Sequence, residues 1–243
     1  MFLPIFETVK SMYIMNKTLR LFFSFFIISV SLHAQETKLA SLFSDNMILQ
    51  RNIEGPIWGW AEPGSQIKIQ CSWDNDIHYG HTDIEGKWMV EVTTPDAGGP
   101  YSIKINEKTI KNVLIGEVWI ASGQSNMQLS LQQSENYKDE LPNATDDEIR
   151  LFYVAREHSD YPNDDIYGRW ETCDTTSAKT FSAVGYYFAK RLRAELNIPI
   201  GIIHVSWGGS SAQAWVSPNV LKACPSGQHY LVRYAEKVME SKP

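Results

Sequence analysis

A serine at position 125 has the sequence surroundings of a nucleophile. It follows the apolar run Val118 to Ala121 and the turn Ser122-Gly123-Gln124. After it, Met127, Leu129 and Leu131 predict a helix. A hydroxyl between a strand buried on both faces and a helix lies at the carboxyl edge of a parallel sheet, where open α/β folds bind ligands. Backbone N–H groups and the positive helix end would stabilise the oxyanion formed by attack on an ester. A phosphate-binding turn or a plain helix N-cap fits the same spacing.

A second glycine-containing turn, Trp207-Gly208-Gly209-Ser210-Ser211, can supply another backbone donor. The apolar run from Ile200 to Ser206 precedes it and predicts a buried strand, and small apolar residues in helical spacing follow. Turns at the carboxyl ends of two parallel strands face each other at the edge of the sheet. An N–H of this turn can therefore complete an oxyanion hole with the N–H of Ser125, although an ordinary turn is the alternative.

The elements between these two turns must position them. Residues 149–154 predict a strand, and Ser182 can cap a helix that Pro199 ends. The apolar stripe of this helix comprises Val184, Phe188, Leu192 and Leu196. A strand, a helix and the strand at 200–206, joined by short connections, predict a parallel crossover.

The first half of the chain has the pattern of an antiparallel β-sandwich. Apolar residues alternate with polar ones in three runs, Ile67-Ile69-Cys71, Trp88-Val90-Val92 and Ile103-Ile105. Turn residues separate these runs at the spacing of a sandwich. The tryptophans of this half fit either its core or a surface on which sugars stack; they are Trp58, Trp60, Trp73 and Trp88. We place this domain at residues 36–112 and an α/β domain at 113–243.

Composition and the N-terminus indicate the cellular compartment. The formal net charge of -6 and the pI near 5.5 give no reason to expect nucleic acid as a partner. Lys17 and Arg20 precede an apolar run, Leu21 to Leu32, that has the order of a secretory signal peptide and is short for a membrane span. We expect residues 1–34 to be an N-terminal extension and signal peptide, cleaved after Ala34. The mature protein is then periplasmic or secreted, without a stable membrane anchor.

The segment Gly123-Gln124-Ser125-Asn126-Met127 carries a family resemblance. Met127 stands where the nucleophile elbow of α/β-hydrolases has its second glycine. The segment instead resembles the first block of SGNH (GDSL-like) esterases, in the form found in sialate O-acetylesterases. Residues 42–51, 58–64 and 207–215 resemble further blocks of the same family, in family order.

The resemblance implies a fold and a chemistry. The fold is an α/β SGNH-hydrolase domain of the flavodoxin-like three-layer type, incomplete here, preceded by the antiparallel β-sandwich domain. The chemistry is removal of O-acetyl groups from sialic acid or from another acetylated glycan such as xylan. Ser125 would be the nucleophile, with its own N–H and that of Gly209, or next Gly208, in the oxyanion hole.

Further residues are candidates for the site. Two flank Ser125, one follows the second glycine turn, and one begins the polar and aromatic segment 156–169, which fits a substrate-facing loop or a solvated connection. Those for contact with the acetylated carbohydrate are Gln124, Asn126, Arg156 and Trp215. No metal or organic cofactor is implied, and the three cysteines match no zinc pattern; they are Cys71, Cys173 and Cys224.

Two parts of the family pattern are missing from the sequence. No histidine in the α/β half follows an aspartate by two or three residues at a strand end, and no Gln-Gly-Glu-x-Asn block follows position 215. We therefore expect a truncated esterase that lacks the base of its triad and its third oxyanion donor, and that is nearly inactive alone. The alternatives are a non-catalytic glycan-binding β-sandwich protein and an unfolded remnant.

Overall fold

The fold of this chain was obtained as a computed structural model. The structure describes residues 36–74, 76–157, 159 and 162–240. The predicted signal peptide lies outside these residues. From Thr37 onward the chain clusters as one compact unit. Among the described residues, no helix combines the length and the apolar character that a membrane span requires.

Eleven strands and six α-helices are assigned in the described residues. The strands are β1 Lys38–Leu39, β2 Ile48–Gln50, β3 Glu54–Trp60, β4 Gln66–Cys71, β5 Ile77–His81, β6 Lys87–Thr93, β7 Gly98–Ile105, β8 Lys108–Gly123, β9 Asp146–Tyr153, β10 Trp170–Cys173 and β11 Ile200–Ser206. The helices are α1 Ser125–Gln128, α2 Tyr137–Glu140, α3 Ser177–Thr180, α4 Ala183–Leu196, α5 Pro218–Lys222 and α6 Pro225–Glu240, with 3-10 turns at Leu131–Gln133, Leu141–Asn143 and Ala212–Trp215.

The strands form two sheets. The smaller sheet has the order β1-β3-β6 and is antiparallel. The larger has the order β10-β9-β11-β8-β7-β4-β5, and β2 also pairs with β8. Within it β11 is parallel to both β8 and β9, as the sequence predicted, whereas β4, β5 and β7 pair antiparallel. The chain therefore has a mixed sheet with helices, in which parallel pairing is concentrated in the second half.

The alternation predicted for the first half is confirmed. Strands β4 and β6 bury every second residue and expose the residues between them. The buried sides of the two sheets contribute to one apolar cluster, in which Ile67 and Ile69 of β4 join Trp88 and Val90 of β6. Cys71 lies in the same cluster as a buried free thiol. The burial of these residues holds the small sheet against the larger one.

Strand β8 connects the two halves of the chain. It has 16 residues. Residues up to Ile115 pair with β7, and residues 117–123 pair with β11. The boundary that we placed between residues 112 and 113 falls inside this strand. A separate β-sandwich domain stays a prediction, because β8 runs without a break across the boundary and pairs with strands of both halves.

The predicted burial of β8 on both faces is wrong at its carboxyl end. Trp119 is 45% exposed and Ile120 is 69% exposed. In the described part of the chain β8 has only β11 beside it over residues 117–123, so these side chains lack neighbours from a strand on the other side. Trp119 finds partial cover in an edge-on contact with the Phe188 ring of α4, with ring centroids 5.3 Å apart.

Helix α4 begins as predicted but buries a different face. The Ser182 hydroxyl caps it by accepting a hydrogen bond from the Gly185 N–H at 3.1 Å. The stripe that includes Val184 and Phe188 is largely exposed, and the buried residues are Ala183, Gly185, Tyr186 and Ala189. A Cβ added to Gly185 would lie 3.4 Å from the Ile202 side chain of β11. Small residues therefore allow this helix to approach the sheet closely. Most of the large apolar side chains of the predicted stripe remain partly exposed to solvent.

Candidate active site

The Ser125 hydroxyl is exposed at the carboxyl end of β8. It donates a hydrogen bond to the Gln124 side-chain oxygen at 3.1 Å. Helix α1 begins at Ser125 but contains only four residues, so the longer helix predicted to carry Leu129 and Leu131 is wrong, and Leu131 begins a separate 3-10 turn. The short helix still aims its first backbone N–H groups at the outer edge of the sheet. Gln124 and Asn126, which we expected to contact substrate, flank the serine and are both exposed.

The two glycine-containing turns predicted from the sequence lie against each other. The Trp207 N–H donates to the Gly123 carbonyl at 3.0 Å, continuing the pairing of β11 with β8. A Cβ added to Gly208 would lie 3.6 Å from Ser125 Cα. The structure thus brings Ser125 and the bend at 207–209 together, which is the arrangement that an oxyanion hole built from both turns requires.

Gln128 fixes the bend in place. Its side-chain oxygen accepts a hydrogen bond from the Gly208 N–H at 2.6 Å. A methyl group on Gly208 would lie 3.0 Å from the same oxygen, so the side chain packs directly on the glycine. The N–H of Gly208 is therefore already used within the protein. This contact was not predicted, although Gln128 lies three residues after Ser125, a spacing that places two residues on one face of a helix.

Gly209 is the freer of the two glycines. Its φ of +81° lies in the left-handed region that favours glycine. No atom lies within 4 Å of the position that its Cβ would take. Among the described residues, no acceptor is found for its N–H. Of the two predicted donors, Gly209 is thus the one with an N–H available to a ligand.

Trp215 and Arg156 line one cavity beside this bend. The cavity has a volume of about 330 Å³, and Tyr167 and Trp207 also contribute to its wall. The Trp215 indole N–H donates to the Ser210 hydroxyl at 2.8 Å, and that hydroxyl donates to the Trp207 carbonyl at 2.7 Å. Trp215 is therefore tied to the same bend that carries Gly208 and Gly209.

Two further features make the bend a binding surface. A second cavity of about 390 Å³ is lined by the bend itself, together with Trp207 and Trp215. Arg156 is exposed and lies at the end of β9, next to β11 in the sheet. Aromatic walls therefore line both cavities at the bend, and Arg156 lines one of them, a combination suited to a polar ligand with apolar faces.

His204 lies beneath the site and has the wrong surroundings for a base. It is 1% exposed, and its Nε2 is hydrogen-bonded to the Ser206 hydroxyl at 2.7 Å. Burial lowers the pKa of His204 to about 4; the backbone of Met127 opposes this shift, and the charge of Arg156 adds to it. The ring is therefore neutral near pH 7. In the described part of the chain, the Ser125 hydroxyl has no hydrogen bond to a histidine.

Comparisons with known proteins agree with the resemblance seen in the sequence. Residues 115–240 match the family described as "Carbohydrate esterase, sialic acid-specific acetylesterase". Human sialate O-acetylesterase is 31% identical over 212 residues, covering 77% of this chain and 40% of that protein, and the Mus musculus protein is 31% identical over 209 residues. The crystal structure of a carbohydrate acetylesterase from Xanthomonas citri superposes with a TM-score of 0.73 at 34% identity, covering 76% of this chain and 43% of that one. The chain spans about two fifths of the length of these relatives.

Proposed function

Because the chain belongs to the carbohydrate esterase family of sialic acid-specific acetylesterases, we propose that it removes O-acetyl groups from a glycan with Ser125 as nucleophile. The observation that carries this proposal is the contact between the two turns. Ser125 is exposed, and the bend at 207–209 lies directly beside it. The family match favours this activity over a glycan-binding protein without catalysis. We further propose an SGNH-type domain and export to the periplasm or medium, supported by the sequence blocks and by the N-terminal residues.

The reaction is an acyl transfer in two steps. The Ser125 oxygen attacks the carbonyl carbon of the acetyl group, and the carbonyl oxygen becomes an oxyanion. The N–H groups of Ser125 and Gly209 donate to that oxygen, and each such donor is worth about 3 kcal/mol in the transition state. The tetrahedral intermediate then collapses, the sugar oxygen leaves with a proton, and water releases acetate from the acetyl-serine.

The attack requires a general base for the serine proton. The family resemblance implies an Asp/His pair, and the described neighbours of Ser125 do not include one. His204 does not fill this role, because it is buried, its pKa of about 4 makes it a weak base, and its Nε2 is hydrogen-bonded to Ser206. We therefore expect the 243-residue chain to release acetate slowly. Donors and binding groups without the base leave only a residual part of the catalysis.

Acetate release tests the proposal. The chain is incubated with p-nitrophenyl acetate and with acetylated xylan and sialosides, and acetate is quantified against a protein-free control. We expect slow release that Ser125→Ala abolishes. Ser122→Ala is the matched control, because Ser122 is an exposed serine at the end of β8, three residues before Ser125, and its loss should leave the rate unchanged. Equal loss in both variants, or equal release from all three proteins, would refute the assignment of Ser125.

A further inference from the structure

The outer face of the small sheet carries two tryptophans side by side. Along β3, Ile57 and Gly59 are buried, whereas Trp58 and Trp60 lie on the opposite face and are half-buried. In the register of β3 with β6, Trp58 lies opposite Met89 and Trp60 opposite Lys87, and both partners are exposed. Both tryptophans pack partly against the apolar cluster, Trp58 edge-on against the buried Phe43 ring with centroids 4.6 Å apart, and each keeps part of its ring exposed, unlike the buried Trp88.

These tryptophans line a cavity of about 360 Å³ that mixes aromatic and polar groups. His81, Asp83, Lys87 and Asp164 stand around it and can donate to or accept from hydroxyl groups. A sugar ring has apolar C–H faces and a rim of hydroxyl groups. Flat indole rings beside charged side chains are complementary to both parts of such a ligand.

Two exposed contacts join the polar groups of this cavity to one another and to Trp58. Lys87 forms an ion pair with Asp164 at 2.8 Å, and the Trp58 indole N–H donates to the Asp164 carbonyl at 3.4 Å. The next residue, Asp165, accepts a hydrogen bond from the Ser41 N–H at 2.8 Å. The segment 162–167, which follows Arg156 in the α/β half, is thereby anchored to the tryptophan-bearing face.

One face of Trp60 already carries a cation. The Lys38 ammonium group lies over the ring, 4.8 Å from its centroid. The Lys38 side chain is 68% exposed, so it can move away without a change in the core. An exposed cation–π contact contributes about 0.5–1 kcal/mol, which a stacked sugar ring can offset.

Cavities that share lining residues extend from this face to the Gly208–Gly209 bend, which lies beside Ser125. A cavity of about 480 Å³ shares Trp60 and Asp164 with the first, and it shares Asp165 and Tyr167 with the cavity of Arg156 and Trp215. That cavity in turn shares Trp215 and Trp207 with the one at the Gly208–Gly209 bend. A chain of sugar units has the shape to occupy such a row, whereas one monosaccharide occupies a single cavity.

We propose that Trp58 and Trp60 form a distal sugar-binding subsite, and that the substrate is an acetylated oligosaccharide or polysaccharide reaching from Ser125 to this face. That the bound oligosaccharide is a substrate rests on the proposed esterase function. Sugar binding at the tryptophans does not depend on that function.

Binding to immobilised glycans tests the subsite. The 243-residue chain is applied to an array of acetylated plant and sialylated oligosaccharides, each printed beside its acetylated monosaccharide. We expect oligosaccharides to bind more tightly than their monosaccharides, and Trp60→Ala to weaken the best of them about tenfold, the loss expected for one aromatic stack. Trp60→Phe keeps a flat ring and should retain most of the affinity.

Trp73→Ala is the matched control. Trp73 packs against Tyr101 and does not line any of the four cavities, so its loss should leave binding unchanged. Melting temperatures of all variants separate loss of binding from loss of fold. The subsite is wrong if oligosaccharides bind no better than monosaccharides, or if folded Trp60→Ala binds as the parent does. Acylation by p-nitrophenyl acetate is compared between the parent and Ser125→Ala in a separate assay, so a failure of the esterase proposal is detected independently of sugar binding.

Discussion

Replacing Gln128 by methionine should uncouple the bend from the serine. Methionine matches the length of glutamine but lacks the oxygen that accepts the Gly208 N–H at 2.6 Å. The bend would remain attached through the Trp207 N–H on Gly123, but its next residue would be free to move. Loss of this hydrogen bond should lower the free energy of unfolding by about 0.5–1.5 kcal/mol. The corresponding fall in melting temperature is about 2–5 °C for a chain of this size.

Gln128→Met should also slow the acylation of Ser125. Complete removal of an oxyanion donor slows acyl transfer about 10²–10³-fold. Because Gln128→Met misplaces the Gly209 N–H without removing it, we expect a loss of about tenfold, equivalent to about 1.4 kcal/mol. The assay is the initial release of p-nitrophenol from p-nitrophenyl acetate, measured beside thermal unfolding. Gln132→Met is the control, because Gln132 is an exposed glutamine of the next turn.

An unchanged or faster acylation rate in Gln128→Met would refute this reasoning. It would mean that the Gly208 N–H, once released from Gln128, serves the oxyanion itself. Gln128 would then compete with the substrate for a donor instead of positioning the bend. If Gln132→Met slowed acylation as much as Gln128→Met, the cause would be a disturbance of the whole segment. That result would also contradict a specific role of Gln128.

Three further predictions concern the bend, the buried histidine and helix α4. Gly209→Ala should lower the melting temperature by several degrees, because φ at +81° strains a residue with a Cβ, while acylation changes less because the N–H remains. His204 has a pKa of about 4 in the folded protein and about 6.5 when unfolded, so the unfolded state binds more protons between these values. Urea unfolding should show stability that falls by up to about 3 kcal/mol as pH drops through this window, and His204→Gln should remove much of that dependence. Ala189→Leu should destabilise by about 1–3 kcal/mol in thermal melts through overpacking, whereas Val184→Ala on the exposed face should have a small effect.

Patterns with a short period were predictable from the sequence. In β4 and β6, apolar residues recur at every second position along a single strand, so the sequence alone shows which side faces the core. In the structure these residues are buried and the residues between them are exposed. The two glycine turns were also predictable, because each follows an apolar strand directly. Their contact required one further inference, that the two strands are parallel neighbours, which the pairing of β8 with β11 confirms.

Features that depend on the neighbours of an element were not predictable. The burial of Trp119 and Ile120 depends on whether a strand lies on the second side of β8, which the run itself does not encode. The buried face of α4 was predicted from its large aliphatic residues, but small residues face the sheet because they permit a closer approach. Gln128 was overlooked because its partner, the Gly208 N–H, is 80 residues away in the sequence.

Covalent trapping of Ser125 tests the central claim most directly. The chain is treated with a fluorophosphonate, which phosphonylates activated serines, and the labelled peptide is identified by mass spectrometry. Because the described neighbours of Ser125 include no base, we expect slow labelling of Ser125, no label in Ser125→Ala, unchanged labelling in Ser122→Ala, and still slower labelling in Gln128→Met. Label on another serine, or labelling that Ser125→Ala does not change, would contradict the claim that this hydroxyl faces a functional oxyanion site.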